Sequence, residues 1–150
     1  MICNMGLYAQ TKAEKQEIQS VKLTINKLFD GMREGDSAKV ASTFSRQVTM
    51  YTSLTTKNGE QVVKKGNLNA FLHAIGTPHD AIWDEKTMNT TISIEGSIVQ
   101  VWTDYTFYIG SKFSHCGVDA FHLIKENGND WKIVHLMDTR RTEACEISDQ

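Results

Sequence analysis

The stretch WDEKTMNTTISI, residues 83–94, followed by SIVQVWTDYTFYI, residues 97–109, decides the fold of this chain. Polar and apolar residues alternate along both segments, and Glu95-Gly96 between them is typical of a tight turn. The same alternation continues through two further segments, Phe113–Lys125 and Trp131–Thr139. The second half of the chain therefore predicts four long antiparallel strands that follow one another in a meander.

The first half of the chain begins with helical periodicity instead. Thr11 and Glu14 have the spacing of a capping box, and apolar residues then recur every three or four positions as far as Met32. This pattern predicts a long amphipathic helix that ends near Gly35. Asp36 can cap a second helix that runs through about Phe44, so the two helices would form a hairpin.

A strand pair and a third helix are predicted to follow. Apolar residues between Val48 and Leu54 indicate a strand, Asn58-Gly59 is a strong turn signal, and Gln61 to Lys65 fits the returning strand. Residues 67–75, closed by Gly76, have the periodicity of a short helix. The order of helices first and long strands last predicts the α+β class.

The composition indicates one globular domain. The chain has 150 residues, 40% of them hydrophobic, which is enough for one hydrophobic core and short for two. Its 16 basic and 18 acidic residues are interspersed and give a net charge of -2, without the basic patch that nucleic-acid binding requires. No apolar run approaches the roughly 20 residues that span a bilayer. We expect a single domain over 11–141, a polar tail at 142–150, no nucleic-acid partner and no membrane span.

Residues 1–10 differ from the rest because they carry no charged side chain and include several apolar residues. Such a segment ahead of a helix resembles the end of a bacterial export signal, and a disordered N-terminus is the alternative. The protein would accordingly be exported to the periplasm or cytoplasmic. In an oxidising compartment Cys116 and Cys145 could form a disulfide, although the pattern favours a buried thiol and a thiol in the tail.

Pairing across the Glu95-Gly96 turn assigns side chains to the two faces of the sheet. A two-residue loop places Ile92 opposite Val99 and Lys86 opposite Tyr105, all on the inner wall. The outer face then carries polar residues with three aromatic residues among them: Trp83, Trp102 and Tyr108. Aromatic residues on an outer face favour a homodimer interface, although a bulge in strands this long would invert the assignment.

The last hairpin concentrates ionisable residues at one end. If the loop at Asn127-Gly128 is even in length, one face combines apolar residues near the turn with ionisable residues far from it. The members of this face are Leu123, Phe121, Asp119, Gly117, His115, Val134, Leu136, Asp138 and Arg140. Charged groups on a core-facing strand must be paired or shift their pKa, so this end predicts a pocket at an open mouth of the core.

Several roles are open to these residues. His115 with Asp119 could be an oriented general base, but residues four apart on a strand are separated by about 13 Å, which favours a structural histidine. Asp119 with Arg140 across the hairpin is the better couple, either as a structural ion pair or as an anchor for a ligand. The five histidines and Cys116 have no recognised zinc spacing, so we expect no metal site.

Six segments also carry a resemblance: Leu28–Asp36, Trp83–Glu85, Val101–Phe107, His115–Phe121, Trp131–Ile133 and Asp138–Arg141. With the order of elements, they resemble the nuclear-transport-factor-two-like superfamily, which includes ketosteroid isomerases, scytalone dehydratase and polyketide cyclases. Within this superfamily, the six segments look like a bacterial subfamily labelled lumazine-binding-like. The resemblance implies a cone-shaped α+β barrel, with N-terminal helices packed in a curved, mainly antiparallel sheet.

This superfamily hosts enzymes, ligand carriers and structural dimers, so the resemblance implies several functions. The interpretation that we prefer is a small-molecule binding domain with its pocket inside the cone and no cofactor. The alternatives are an isomerase or dehydratase with a carboxylate base and a tyrosine donor, or a structural dimer without catalysis. The candidate ligand-binding residues are Tyr51, Tyr105, His115, Asp119, Asp138 and Arg140. The candidate catalytic residues are Asp119, Asp138 and His115.

Overall fold

The computed structural model describes residues 11–128 and 130–145. Within them lie three helices, α1 (Lys12–Glu34), α2 (Ser37–Ala41) and α3 (Leu68–Gly76). The six strands are β1 (Phe44–Thr55), β2 (Gln61–Lys65), β3 (Trp83–Glu95), β4 (Ile98–Ile109), β5 (Lys112–Glu126) and β6 (Asp130–Arg140). The predicted export signal or disordered segment at 1–10 and the last five residues of the polar tail lie outside the described residues.

The six strands form one curved sheet in the order β2-β1-β6-β5-β4-β3. All neighbouring strands are antiparallel except β1 and β6, which run parallel. In the described part of the chain no ladder joins the edge strands β2 and β3, so the sheet remains open. The predicted cone-shaped α+β architecture is confirmed, as a mixed sheet that curves around the helices without closing.

The long helix α1 fills the concave side of the sheet. Its capping box is present, because Thr11 Oγ1 accepts from the Glu14 N–H at 3.2 Å and the Glu14 carboxylate accepts from the Thr11 N–H at 2.7 Å. Its buried stripe consists of Val21, Ile25, Leu28, Phe29 and Met32, with Gly31 beside it. Phe29 packs edge-on against Phe121 of β5, with 6.3 Å between ring centroids. The amphipathic pattern of the sequence therefore describes real core contacts.

The second helix is shorter than predicted. It ends at Ala41, and Phe44 already belongs to β1. The reason is tertiary: the carbonyl oxygen of Thr43 accepts from the Ile133 N–H at 2.9 Å, which joins the chain to β6 before the helix can continue. The third helix, capped by Asn67, follows the prediction. None of the helices formed by the described residues is both long enough and apolar enough to cross a membrane.

The register between β3 and β4 differs from the predicted one. Ile94, rather than Ile92, lies opposite Val99, because Glu95 belongs to the strand and pairs with Ile98. A bulge then interrupts the ladder between Met88 and Thr91. Inside it, Asn89 has a φ of 52°, a left-handed conformation that asparagine tolerates better than most residues.

The bulge reverses the faces of the first part of β3. Trp83 turns inward and packs against the hydrophobic core, so its assignment to the outer aromatic row is wrong. Glu85 turns inward with it, while the Lys86 ammonium lies outside, 5.1 Å from the centre of the Tyr108 ring. Because side chains alternate along a strand, one extra residue is sufficient to exchange the two faces.

The last hairpin keeps its predicted inner face near the ionisable end. Asp119 lies opposite Asp138 and Phe121 opposite Leu136. Nearer the turn, a bulge between His122 and Leu123 makes Ile133 the partner of Leu123. Ile133 is therefore fully buried, and the predicted inward position of Val134 is wrong.

Cys116 and Cys145 form a disulfide, with their Cα atoms 5.9 Å apart. The interpretation favoured by the sequence pattern, two separate thiols, is therefore wrong. The bridge attaches the start of the polar tail to β5.

Candidate functional site

A cavity of about 440 Å³ lies between α1, α3 and the concave face of the sheet. Its walls are mainly apolar and aromatic, supplied by Leu28, Phe29, Met32, Phe71, Phe107 and Phe121. Exposed residues, among them Asn67, Ala70, Ile109 and Arg140, surround its opening, which we call the mouth. All six ligand-binding candidates from the sequence line this one cavity: Tyr51, Tyr105, His115, Asp119, Asp138 and Arg140.

Three carboxyl groups meet in the cavity from three different strands. Glu85 comes from β3, Asp119 from β5 and Asp138 from β6, with Tyr105 of β4 among them. Asp119 is only 4% exposed, and Glu85 is partly buried. Carboxyl groups this close and this poorly solvated cannot all carry a full negative charge without compensation.

Asp138 has the donors that a carboxylate needs. Its Oδ1 accepts from the Thr52 hydroxyl at 2.5 Å, and its Oδ2 accepts from Arg140 Nε at 2.8 Å. The Tyr105 hydroxyl lies 3.5 Å from the same Oδ2. Neighbouring hydroxyl and guanidinium groups thus stabilise a negative charge at this position.

Asp119 and Glu85, which we call the acid pair, have a different environment. Oδ2 of Asp119 is buried and has no hydrogen-bond partner in the described part of the chain. The Glu85 carboxyl group is within hydrogen-bonding reach of Asp119, and a bond between two carboxyl groups requires a proton on one of them. Two acids that interact in this way titrate as a pair rather than independently.

Burial sets the protonation of the acid pair. It raises the pKa of Glu85 to about 7; the hydrogen bond with Asp119 opposes this shift, and the charge of Asp138 adds to it. Burial, followed by the charge of Glu85, also raises the pKa of Asp119 well above its usual range. Burial therefore favours a proton on the pair inside a mainly apolar cavity.

Tyr105 reaches across β5 to β6. Its Cα partner on β5 is Gly117, and its hydroxyl donates to the carbonyl oxygen of Thr139 at 2.8 Å. Only glycine fits at position 117, because a Cβ there would overlap the Thr139 carbonyl. Burial, together with the nearby carboxylates, raises the pKa of Tyr105, so that its hydroxyl stays protonated. The glycine in the strand thus permits the contact that fixes the tyrosine.

His115 is packed between aromatic rings. Its ring centroid lies 5.7 Å from that of Tyr105 and 5.0 Å from that of Phe107. Burial, and then the charge of Arg140, lower the pKa of His115 and favour the neutral imidazole. In the described part of the chain no hydrogen bond joins His115 to Asp119, and its Nδ1 lies 3.0 Å from the hydroxyl of Ser114.

Arg140 lies at the mouth with half of its side chain exposed. Its ion pair is with Asp138 on the same strand, so the expected pairing of Arg140 with Asp119 is wrong. Burial alone would lower the pKa of Arg140, but the bond and charge of Asp138 more than offset it and raise the pKa. Apart from the bond from Nε, the guanidinium makes no hydrogen bond to another described residue.

Glu85 is the site residue that the sequence did not reveal. The predicted register placed it on the outer face, and only the bulge at Asn89 brings it inside. An asparagine in the middle of a long strand is the local signal that could have indicated this bulge. Arg33 of α1 supports the position from outside, because its Nη1 donates to the Asp84 carboxylate at 3.1 Å and to the Glu85 carbonyl oxygen at 3.3 Å.

The residues of the predicted dimer interface lie in three different environments. Trp102 is on the outer face and 47% exposed. Tyr108 is on the same face but is buried under Lys86 and beside Phe113. Trp83 is inside, stacked on His79 with 4.0 Å between centroids. Among residues 11–128 and 130–145, no group of three or more side chains is arranged to hold a metal ion.

The open cone with helices across its concave face is the fold of solved proteins described as nuclear-transport-factor-two-like, with a cystatin-like fold. A protein of unknown function from Mycobacterium tuberculosis has this fold with a TM-score of 0.71 and 14% identity, over 93% of this chain and 80% of that one. A nuclear-transport-factor-two-like protein with a cystatin-like fold from Novosphingobium aromaticivorans gives 0.67 and 10%, over 93% and 94%. From the same organism, a "putative scytalone dehydratase" gives 0.69 and 13%, over 89% of each chain.

Sequence comparison narrows this class to one family. The model of the family described as "Putative lumazine-binding" matches residues 16–137, and the chain belongs to that family. No curated protein matches the chain.

Proposed function

We propose that the chain is a small-molecule binding domain whose ligand occupies the cavity between α1, α3 and the sheet. The ligand has an apolar, ring-sized body and a neutral hydrogen-bond acceptor such as a carbonyl oxygen. The observation that carries this proposal is the acid pair, with Asp119 buried and Glu85 partly buried, in a mainly apolar cavity. A buried polar group of this kind is costly unless a partner satisfies it, and a ligand acceptor is a suitable partner.

The charges of the site favour a neutral ligand. Burial favours a proton on the acid pair, and a protonated carboxyl group can donate to a ligand acceptor in place of the neighbouring acid. Asp138 already has its donors, while Arg140 retains N–H groups that can reach a second acceptor at the mouth. A ligand carbonyl thus matches the donors that the cavity offers.

The size of the cavity suits a molecule of two or three rings. Ligand cavities in proteins measure roughly 300 to 1,000 Å³, and this one measures about 440 Å³. Lumazine, which the family description names, is a planar bicyclic compound with carbonyl groups, and so it belongs among the compounds to test.

Calorimetry with matched compounds tests the proposal. Tetralin, its ketone β-tetralone and its protonated amine share one bicyclic frame, and lumazine is a fourth probe. At pH 6 we expect β-tetralone to bind about tenfold more tightly than tetralin, the factor that one hydrogen bond supplies. Lumazine or the ketone should lose affinity in Glu85→Ala, whereas Glu95→Ala, at the far end of the same strand, should bind as the wild type does. Equal affinity for ketone and hydrocarbon, or no binding of any probe, would contradict the proposal.

A second function, proton transfer at a carbon next to a carbonyl, is favoured by one specific observation. Two neighbouring carboxyl groups that share a proton can act as a base and an acid in turn. Exchange of the α-hydrogens of β-tetralone for deuterium, followed by NMR, measures this activity. Catalysed exchange that is lost in Asp119→Asn would support an enzyme of the isomerase or dehydratase kind. Tight binding of the ketone without hydrogen exchange would indicate a binding domain rather than an enzyme.

A further inference from the structure

The chain that follows Arg140 folds back onto the sheet. Arg141 pairs with Cys116 through two backbone hydrogen bonds of 2.9 Å, in which the N–H of each residue donates to the carbonyl oxygen of the other. Cys145 then forms a disulfide with the same Cys116. Residues 141–145, which we call the C-terminal loop, are therefore attached at both ends to a single residue of β5.

This attachment lies immediately beside the site. His115 lines the cavity, whereas the neighbouring Cys116 points to the other face, where it is 2% exposed. Farther along β5, Asp119 pairs with Asp138. Arg140 consequently lies between two cross-strand attachments, the pair of Asp119 with Asp138 and the pair of Cys116 with Arg141.

We infer that the Cys116–Cys145 disulfide is a positioning element for Arg140, so that reduction of the disulfide weakens the hold of the site on a ligand acceptor. The expected effect of reduction on ligand binding rests on the proposed function, whereas the expected effect of reduction on Arg140 does not. Without the disulfide, one residue pair at the end of the sheet is the attachment of the C-terminal loop among the described residues, and strand ends held in this way fray readily. Leu54 of β1 pairs with Arg140 on its other side, so the strand should persist while the side chain loses its fixed geometry.

The chemistry of the switch is thiol–disulfide exchange. Dithiothreitol supplies two electrons: the Sγ–Sγ bond breaks and gives two protein thiols, while the two thiols of the reagent are oxidised to its cyclic disulfide. Disulfides persist in oxidising compartments and are reduced elsewhere, so the affinity of the site would report the redox state of its surroundings.

NMR of the Arg140 side chain tests the inference without any ligand. The Nε–H group donates to Asp138, and its resonance can be assigned by its absence in Arg140→Lys. We expect a distinct, slowly exchanging signal in the oxidised protein, and its collapse toward the position of solvated arginines in the reduced wild type and in Cys145→Ser. Glu143→Ser, which changes an exposed residue of the same loop and keeps the disulfide, should leave the signal unchanged. A signal that survives both reduction and Cys145→Ser would overturn the inference.

Calorimetry then separates this inference from the proposed function. On reduction, affinity for lumazine, whose several carbonyl groups allow a bond to Arg140 as well as to the acid pair, should fall about tenfold, the loss expected for one hydrogen bond from a charged donor, while affinity for tetralin stays the same. In Arg140→Met the reduction should no longer change either affinity. If oxidised protein prefers the ketone and reduction changes nothing, the proposed function stands and the positioning role is wrong. If the Nε–H signal collapses but no probe binds in either state, the positioning role stands and the proposed function fails.

Discussion

Asp119 and Asp138 lie directly opposite each other across β5 and β6, yet within residues 11–128 and 130–145 only Asp138 of the two finds donors for both of its oxygen atoms. Thr52 and Arg140 stabilise negative charge on Asp138, and that charge helps to keep a proton on the neighbouring acid pair. Burial and the charges of its neighbours raise the pKa of Asp119, whereas the carboxylate of Asp138 is held by its two donors. This difference is what allows a cluster of three acids to offer a hydrogen-bond donor.

The raised pKa of Glu85 makes the stability of the fold depend on pH. Because its pKa is about 7 in the folded state and near 4.5 in the unfolded chain, the folded state binds more protons between these values. The contribution of Glu85 to stability is then full below pH 4.5 and is lost as the pH rises through 7. We expect Glu85→Gln, which mimics the protonated acid, to gain about 2.5 kcal/mol of unfolding free energy relative to the wild type between pH 5 and pH 8. Urea unfolding at both pH values measures this difference.

Other ionisable groups face Glu85, and the comparison must allow for them. Asp119, Asp138, Arg140 and Tyr105 surround it from β5, β6 and β4. The lowered pKa of His115 acts with the opposite sign, since its contribution is present above pH 6.5 and is lost as the pH falls. Glu95→Gln, an exposed change on the same strand, is the matched control and should follow the wild type at every pH. A constant difference between Glu85→Gln and the wild type would show that Glu85 titrates normally.

Arg140→Ala should affect ligand binding more than stability. Its ion pair with Asp138 is half-exposed on the arginine side, and such pairs contribute about 1 kcal/mol or less. The cavity, however, loses its cationic donor at the mouth. We therefore expect a small change in the thermal unfolding midpoint together with about tenfold weaker binding of lumazine, which has a second carbonyl group for Arg140. Arg140→Lys should recover only part of the affinity, because an ammonium lacks the guanidinium fork. Unchanged binding in Arg140→Ala would remove Arg140 from the site.

Tyr105→Phe tests the support of the site by a single hydroxyl group. The variant leaves the carbonyl oxygen of Thr139 without the donor that now lies 2.8 Å away. The expected cost is about 1 to 3 kcal/mol of unfolding free energy, the range for a buried acceptor that loses its partner. Tyr108→Phe is the control, because within the described residues the Tyr108 hydroxyl makes no hydrogen bond, and its loss should cost little. Equal stability of the two variants would show that the Thr139 contact contributes nothing.

The sequence predicts the elements that depend on local rules. The capping box at Thr11, the helix that follows it and the bounds of the four long strands all result from short-range periodicity and turn chemistry. The register of the strands does not follow from these local rules, because one extra residue at Asn89 exchanges the faces of β3 and brings Glu85 into the site. The acidic cluster was therefore predicted only in the half formed by the last hairpin. The sequence pattern also favoured separate thiols over the disulfide, since Cys145 reaches Cys116 only after the chain turns back at Arg141.

We expect Gly117→Ala to be strongly destabilising, because position 117 has no room for a Cβ atom. A Cβ at this position overlaps the carbonyl oxygen of Thr139, which belongs to the strand backbone and cannot move aside cheaply. Overpacking of this kind costs about 1 to 3 kcal/mol or more. Denaturant unfolding of Gly117→Ala, with Val118→Ala on the next, partly exposed position as control, measures the effect. A stability loss no larger than that of Val118→Ala would mean that β5 and β6 separate easily here.

The outer face of the sheet carries an apolar row that we propose as a homodimer interface. Trp102, Ala120 and Met137 lie side by side across β4, β5 and β6, and Trp102 and Met137 are 47% and 42% exposed. Trp83 and Tyr108 do not extend this row, because the first is inside the cone and the second is covered. Large exposed aromatic residues are frequent anchors of protein interfaces, and a buried unpaired carboxylate in such a place is costly. Trp102→Asp should therefore convert a dimer at micromolar concentration to a monomer in light scattering, whereas Val63→Asp, a 67% exposed position on the edge strand β2, should leave the mass unchanged. A wild-type monomer under these conditions would rule out the interface.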